Sequence, residues 1–504
     1  MSGGTDVQQG RSTGARSDGA ALTDRRKRLA LLVLCAAMFL DSLDVSLIAV
    51  ALPSIEQELS LSPSTLQWLV SGYTVAYGGF LLLGGRTADI FGRRRVFLAA
   101  MALFAVASLG GGFLDDGPLL VASRVLKGIA AAFTAPAALS IITTTFHEGR
   151  ERNRALVVYS TTAATGYSLG LVLSGVLTEV HWRLIFFLPT VVAVLVLVLA
   201  PLAVHESATT GRRSRSYDAG GGLTITAGLL LLVYGLVQAP EAGWAGRSVL
   251  GPLVAAVLLI GAFLLIEHRH REPTVPLRLF RSRTLSTANA LGVIFLAASI
   301  GWQFIATLYL QQVLGYGAMT TALAILPLGV MVLLVAQFVT GRLIDQFGLR
   351  PVATVGFVIQ ASGILLFSLA GIDADYLTLL FPAVMLHGIG NGLVFPTLNI
   401  AGVSGVADRE QGIASGLITA STQIGAGVGV AVLTGVSVAL TTGSGTAAVM
   451  SGYHGAFAVG GAISLLGAVV AAFGFCKLTV SATGVVDRRS GPQPCAAAPA
   501  VTKY

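Results

Sequence analysis

Charge is what this sequence is short of: Asp, Glu, Lys and Arg make up only 11% of its 504 residues, against about a quarter in soluble domains. A chain with so few charged groups and 54% hydrophobic residues has too little polar surface to cover a water-soluble fold. Cysteine is almost absent. Cys35, Cys476 and Cys495 fall in a span, at a span end and in a tail, which excludes a disulfide framework. No Walker A sequence occurs, so ATP drive within the chain is not expected. HExxH and Cys-rich metal spacings are missing too, and no large soluble domain interrupts the apolar sequence. A membrane-embedded enzyme or sensor therefore has nothing to work with, and neither a cofactor nor a metal is expected.

What is present is a series of apolar blocks, most of them long enough to cross about 30 Å of hydrocarbon at 1.5 Å per residue. They start near Leu29, Leu66, Val96, Leu119, Ala155, Leu184, Gly220, Val249, Leu285, Thr320, Val352, Leu377, Gln411 and Ala456. This predicts an all-α integral membrane protein of about fourteen spans. The run after Arg25-Arg26-Lys27-Arg28 is too long for a signal-peptide core and reads as the first span. Glycine is abundant at 61 residues, as close helix packing in lipid requires.

The net charge of +8 does not indicate nucleic acid, because the basic residues sit in short clusters between spans. They occupy the N-terminal tail, every second connection (Arg86 and Arg93 to Arg95, Arg150 to Arg154, Arg212 to Arg215, Arg269 to Arg283, Arg342 to Arg350, Arg409) and the C-terminal tail. Of the 32 Lys and Arg, only Arg124, Lys127, Arg183 and Arg247 lie elsewhere. The opposite connections carry Glu56, Glu58, Asp115, Asp116, Glu241, Asp373 and Asp375. The positive-inside rule then places both termini in the cytoplasm of an inner or plasma membrane protein.

An internal repeat divides the chain. Gly85-Arg-Thr-Ala-Asp89-Ile-Phe-Gly92-Arg93 follows the second block, and Gly341-Arg-Leu-Ile-Asp345-Gln-Phe-Gly348-Leu-Arg350 follows the tenth. Both read G-R-x-x-D-x-F-G, so two six-helix halves are expected with two extra spans between them. The expected segments are a disordered tail (1–28), an N-terminal bundle (29–204), a linker with two spans (205–283), a C-terminal bundle (284–478) and a second tail (479–504). Such symmetry is typical of secondary transporters, with the substrate between the halves.

Ionised groups inside a bilayer cost at least about 2.5–3.5 kcal/mol and need a partner or a task. Asp41 and Asp44 lie at i and i+3 on one face of the first span, and Arg124 and Lys127 do the same on the fourth. A carboxylate facing a cavity can take up and release a proton; pairing with Arg124 or Lys127 is the structural alternative. Two acids against two bases leave no surplus of buried negative charge for a lipophilic cation, so neutral or anionic amphiphiles suit the spans at least as well. Trp68, Tyr73, Tyr77, Trp302, Gln303, Asn391, Asn399 and Gln423 are polar or aromatic positions within spans and candidates for a substrate cavity; interfacial anchoring or helix–helix bonding is the plainer use of each. His387 reads as a packing residue.

From Leu29 to Cys476 the chain resembles the major facilitator superfamily, most closely its fourteen-span drug:proton antiporter branch. Leu43-Asp44-Val-Ser-Leu-Ile-Ala-Val-Ala-Leu-Pro53 is similar to that branch's first-span motif, and Gly85 to Arg95 to the superfamily's loop signature. Arg124-Val-Leu-Lys127-Gly128 resembles the fourth-span motif, with Lys where Gln is common. Gly166, Gly170 and Gly175 fit the antiporter motif of the fifth span, with Leu171 in place of its proline and Ser174 in place of a glycine. The resemblance implies a monomeric exporter of small hydrophobic compounds driven by the proton gradient. It further implies coupling through Asp44 and Arg124, with Gly85, Asp89, Gly92, Arg93, Asp345 and Arg350 as gating residues. A dedicated metabolite or lipid exporter, or a proton-coupled importer, is the alternative that the altered antiporter motif leaves open. Topology gives the first test. A green fluorescent protein fused after Phe475 is expected to fluoresce, and alkaline phosphatase fused after Asp116 to be active; the reverse pattern would invert the orientation.

Overall fold

The computed structural model describes residues 9–146, 150–204, 219–243, 246–269, 275, 277–406, 410–443 and 445–475. These fold into fourteen long helices: α1 Gln9–Leu59, α2 Pro63–Phe91, α3 Arg93–Gly111, α4 Gly117–Thr145, α5 Arg150–Val180, α6 Leu184–Ala203, α7 Ala219–Ala242 and α8 Arg247–Arg269, then α9 Arg283–Val313, α10 Ala318–Phe347, α11 Leu349–Phe367, α12 Tyr376–Val403, α13 Gln411–Leu440 and α14 Thr446–Gly474. Thirteen are long and apolar enough to cross a membrane. The fourteenth is α2, which at 29 residues is as long as most of the others.

Two boundaries differ from the sequence reading. Helix α1 starts at Gln9, so much of the stretch expected to be a disordered tail is helical. Helix α14 starts at Thr446, ten residues before the expected Ala456, because the small residues Thr446 to Gly452 lower hydropathy without opposing a helix. The tail 479–504 and the basic clusters at Arg212 to Arg215 and Arg409 lie outside the described residues.

Helices α1 to α6 pack together as one bundle and α9 to α14 as a second. The bundles meet along two seams, α2 against α13 and α5 against α10. Each seam pairs the second helix of one bundle with the fifth of the other, as an internal two-fold demands. The repeated loop motif shows the same symmetry in the backbone. Gly92 has φ 98° between α2 and α3, and Gly348 has φ 81° between α10 and α11; both are left-handed conformations that favour glycine. Asp375 caps α12: the backbone N–H of Thr378 at 2.9 Å, with its hydroxyl, holds the carboxyl below its usual range.

The hydrophobic core is divided unevenly with depth. On the side away from the termini, one cluster runs through both bundles, from Leu43 to Ile55 of α1 to Trp302, Tyr309, Ile325 and Phe457. On the termini side, one cluster belongs to the first bundle (Leu34, Phe97, Ile142, Val196) and another to the second (Leu291, Phe357, Leu398, Ala471). The far side is sealed, and polar bridges finish the seal: Gln311 donates to the Val50 carbonyl and Gln312 to Glu56, both at 2.9 Å.

Within each bundle the helices approach to backbone contact. A Cβ on Gly128 of α4 would lie 2.2 Å from the Tyr73 carbonyl oxygen of α2, and one on Gly425 of α13 2.1 Å from that of Val293 of α9. Gly251 of α8 faces open space. Gly128→Leu is therefore expected to cost about 3 kcal/mol through overpacking, and Gly251→Leu within about 0.5 kcal/mol. Thermal unfolding of the detergent-solubilised protein separates the two.

Candidate functional site

The buried charges converge on one point. Asp44 on α1 accepts from Arg124 through one carboxylate oxygen and from Lys127 through the other, and all three side chains are buried. The spacing of three residues on α4 is what aims both cations at one acid. Arg124 also donates from Nε to the Leu69 carbonyl at 2.9 Å, and its guanidinium lies 4.8 Å from the Tyr73 ring centre. The Lys127 ammonium sits 4.9 Å from the centre of Phe104 and 5.2 Å from that of Phe186. Aromatic faces thus supply the cations with solvation that lipid cannot.

Asp41, one turn earlier on α1, is placed differently. It is 3% exposed and neither carboxyl oxygen has a hydrogen-bond donor. Its surroundings include Asp44 and Lys127 and the phenols of Tyr73, Tyr77 and Tyr159. The two acids that share a helical face therefore divide into one locked in a three-membered ion pair and one without a partner. Tyr159 of α5 escaped the sequence reading, since nothing in its surroundings distinguishes it from a packing aromatic.

The three motif glycines of α5 tie this site to the other bundle. A Cβ on Gly166 would lie 2.7 Å from the Phe39 carbonyl oxygen, and one on Gly170 2.0 Å from Ser46 Oγ. The α5 backbone thus lies directly on the turns of α1 that carry the acids. Gly175, near the far end, meets Met319 and Ala322 of α10, with 2.8 Å from its Cβ position to Met319 Cα.

The second bundle holds a neutral counterpart on its own first and fourth helices. Ser299 of α9 donates to Asn391 of α12 at 2.9 Å and lies 3.1 Å from His387 Nε2. Gln360 of α11 donates to the same Asn391 oxygen at 3.0 Å, and Ser464 of α14 to Gln360, also at 3.0 Å. Trp302 lies against His387 with 4.3 Å between ring centres and 33° between ring planes. Four helices are pinned by one buried network, which the sequence showed only as scattered polar residues.

The eight cavity candidates fall at several places. Tyr73 and Tyr77 border the acids, whereas Trp302 and Asn391 belong to the neutral network. Gln303 accepts from Tyr167 across the bundles. Gln423 lies at the α2–α13 seam, against Gly78. Asn399 donates to the Phe395 carbonyl of its own helix at 2.9 Å, and Trp68 turns to Tyr234 of α7, 6.4 Å between ring centres. Among the gating candidates, Gly85 approaches Pro136 of α4 (3.6 Å from its Cβ position), and Arg93 donates to the Ser140 carbonyl at 3.2 Å. Asp345 is exposed, Arg350 half-buried, and the side chain of Asp89 lies outside the described residues. Arg183, a basic residue on the acidic side, is explained by its partners: Glu58 at 3.1 Å, Asp115 at 2.5 Å and the carbonyls of Gly112 and Leu114.

Two bundles related by a loop repeat, with buried charges on the first and fourth helices, define a secondary transporter, and sequence comparison agrees. Residues 34–430 match the Major Facilitator Superfamily, and the chain belongs to it. It is 37% identical to the cephamycin export protein CmcT of Amycolatopsis lactamdurans, over 92% of this chain and 95% of that one. It is 36% identical to the puromycin resistance protein pur8 of Streptomyces alboniger, over 89% and 91%. In fold it is similar to the nucleoside transporter NupG (TM-score 0.63, 11% identity, covering 89% of this chain and 100% of that chain) and to a POT family transporter holding a conjugated peptide (TM-score 0.66, 15% identity, 87% and 94%).

Removing one acid or the other has unequal consequences. Asp44→Asn leaves Arg124 and Lys127 without a counter-charge and is expected to cost about 3–5 kcal/mol. Asp41→Asn exchanges one unpartnered polar group for another and is expected to cost about 1 kcal/mol or less. Thermal midpoints of the purified variants measure the difference; equal losses would contradict the division of roles.

Proposed function

We propose that the protein is a proton-driven exporter of hydrophobic or amphiphilic antibiotic-like compounds in the bacterial plasma membrane, with both termini in the cytoplasm. Two relatives alike over nearly their whole length are an antibiotic export protein and an antibiotic resistance protein, which supports the cargo class and the direction. The observation that carries the coupling is Asp41, a buried carboxyl with no donor beside an acid saturated by two cations.

Such a group is content in two ways only: holding a proton, or accepting a donor from outside the protein. A cargo hydroxyl or amide that bonds the carboxylate therefore competes with the proton, and competition for one site is what exchange of proton for cargo requires. With the termini inside, the sealed far side faces outward and the separate inner cores part toward the cytoplasm. Asp41 discharges its proton and meets cargo there; after the bundles rock, the outside proton displaces the cargo. One proton crossing 100 mV supplies about 2.3 kcal/mol, roughly a fiftyfold concentration ratio. Asp44, Arg124 and Lys127 hold the local field steady while Asp41 changes charge. The chain is a carrier and not a catalyst on this reading.

The test uses a host stripped of its own pumps, challenged with puromycin, lincomycin and a cephamycin. Wild type is expected to raise resistance to at least one compound, with efflux that an uncoupler abolishes, and Asp41→Asn to lose at least tenfold of that gain at equal membrane abundance. Uncoupler-sensitive efflux undiminished in Asp41→Asn would remove Asp41 from the mechanism. Efflux indifferent to uncoupler would end the proton reading.

A further inference from the structure

The two seams between the bundles are not equivalent, and the difference is the α7–α8 hairpin. Helix α7 lies along the α2–α13 seam and packs on both helices. Its contacts run the depth of the membrane. Tyr234 meets Trp68 toward the far side, where Val237 also packs; Leu229 and Val233 pack with Val75 of α2 and Ala431 of α13 at middle depth. Toward the termini side, a Cβ on Gly79 would be 3.0 Å from Thr226, and one on Gly222 3.0 Å from Leu83. Ile225 there joins Leu417 and Ala414 of α13. Helix α8 packs chiefly on α7 and turns Val257 and Leu258, each 67% exposed, away from the protein.

Among the described helices, none outside the bundles packs on both sides of the α5–α10 seam. That seam is closed at the far end by Gly175 against Met319 and at middle depth by Ser168 against Gly329. Below these contacts α5 exposes Val157 and Val158, and α10 exposes Leu334 and Phe338. Thr161 and Thr165 are exposed on the same stretch of α5; Thr165 returns its hydroxyl to the Thr161 carbonyl at 3.0 Å, so it tolerates lipid yet keeps a lone pair for a passing donor.

We propose that the α7–α8 hairpin is a one-sided lateral seal, which leaves the α5–α10 seam as the route by which a bilayer-dissolved amphiphile reaches the space between the bundles from the termini-side leaflet. The seal stands on geometry alone; the route rests on the export reading above. An unsealed carrier of apolar cargo would admit lipid chains through both seams. Covering one halves that leak and fixes the side on which cargo arrives.

The seal is tested on the full-length protein in nanodiscs that contain phosphatidylglycerol with a diazirine on one acyl chain, with adducts mapped by mass spectrometry. Adducts are expected on 157–169 and 330–339, and absent from 71–83 and 420–431. Gly79→Leu, which drives Thr226 and α7 outward, is expected to add adducts on α2 and α13. Labelling of α2 and α13 as strong as that of α5 and α10 in the wild type, or none on α5 and α10, overturns the seal; the wild-type map decides even should the variant not accumulate. For the route, Thr165→Trp combined with Leu334→Trp is expected to lower export of the compounds that wild type extrudes at least tenfold, against no change for Val257→Trp on α8. Equal export in both overturns the route and leaves the seal. A wild type with the expected map that extrudes nothing overturns the export reading and the route with it, while the seal stands.

Discussion

Everything else in this fold is arranged around the ion pair of one carboxylate with two cations in a place water does not reach. Unit charges 4 Å apart interact by about 4 kcal/mol at an effective dielectric of 20, while desolvating each ion costs several. The triad survives only because its members are wrapped: Arg124 by the Leu69 carbonyl and the Tyr73 face, Lys127 by Phe104 and Phe186. The wrapping in turn requires α2 and α4 to touch backbone to backbone, which Gly128 permits. One acid against two bases leaves a surplus positive charge, and Asp41 is the acid stationed one turn away to answer it. A proton on Asp41 therefore changes the charge of the whole cluster. That is why the unpaired acid, and not the paired one, is suited to vary.

The internal two-fold is kept in backbone and broken in chemistry. Gly92 and Gly348 hold equivalent left-handed turns, and the seams exchange equivalent helices. Yet the first and fourth helices carry charges in one bundle and a neutral network of Ser299, His387, Asn391, Gln360 and Ser464 in the other. This network holds no carboxylate, lysine or arginine, and its hydrogen bonds tie its members into one arrangement. A bundle pinned across four helices by such a network resists deformation, as rocking of one bundle against the other requires.

The architecture was legible in the sequence because lipid enforces it locally. Hydrocarbon permits no unpaired backbone, so a predominantly apolar run of about 20 residues continues as helix, and the basic connections sort themselves to one side. Boundaries were less visible where small residues blur hydropathy, as at Thr446, or where a polar helix precedes a span, as before Arg25. The site was half legible. A spacing of three put Asp41 and Asp44 on one face and Arg124 and Lys127 on another, but spacing within a helix says nothing of register between helices. Only the packing of α4 on α1 decides which acid both cations reach. The neutral network was invisible for the same reason, since its five members lie on four helices.

The altered antiporter motif acquires a physical reading from these contacts. Leu171 stands where the resembling branch has proline, so α5 is not bent there by a missing backbone donor. What the glycines retain is closeness. Gly166 and Gly170 bring the α5 backbone onto the acid-bearing turns of α1, and Gly175 brings the same helix onto α10 of the other bundle. Apart from Ser46 Oγ and the Phe39 ring, contact between these turns of α1 and α5 is backbone to backbone, which leaves little to absorb a shift of α1 by a fraction of an ångström. Close-packed interfaces pass on such shifts or switch arrangement, but do not yield gradually. Helix α5 thus joins the acid-bearing turns of α1 to the α5–α10 seam through close contacts at its glycines.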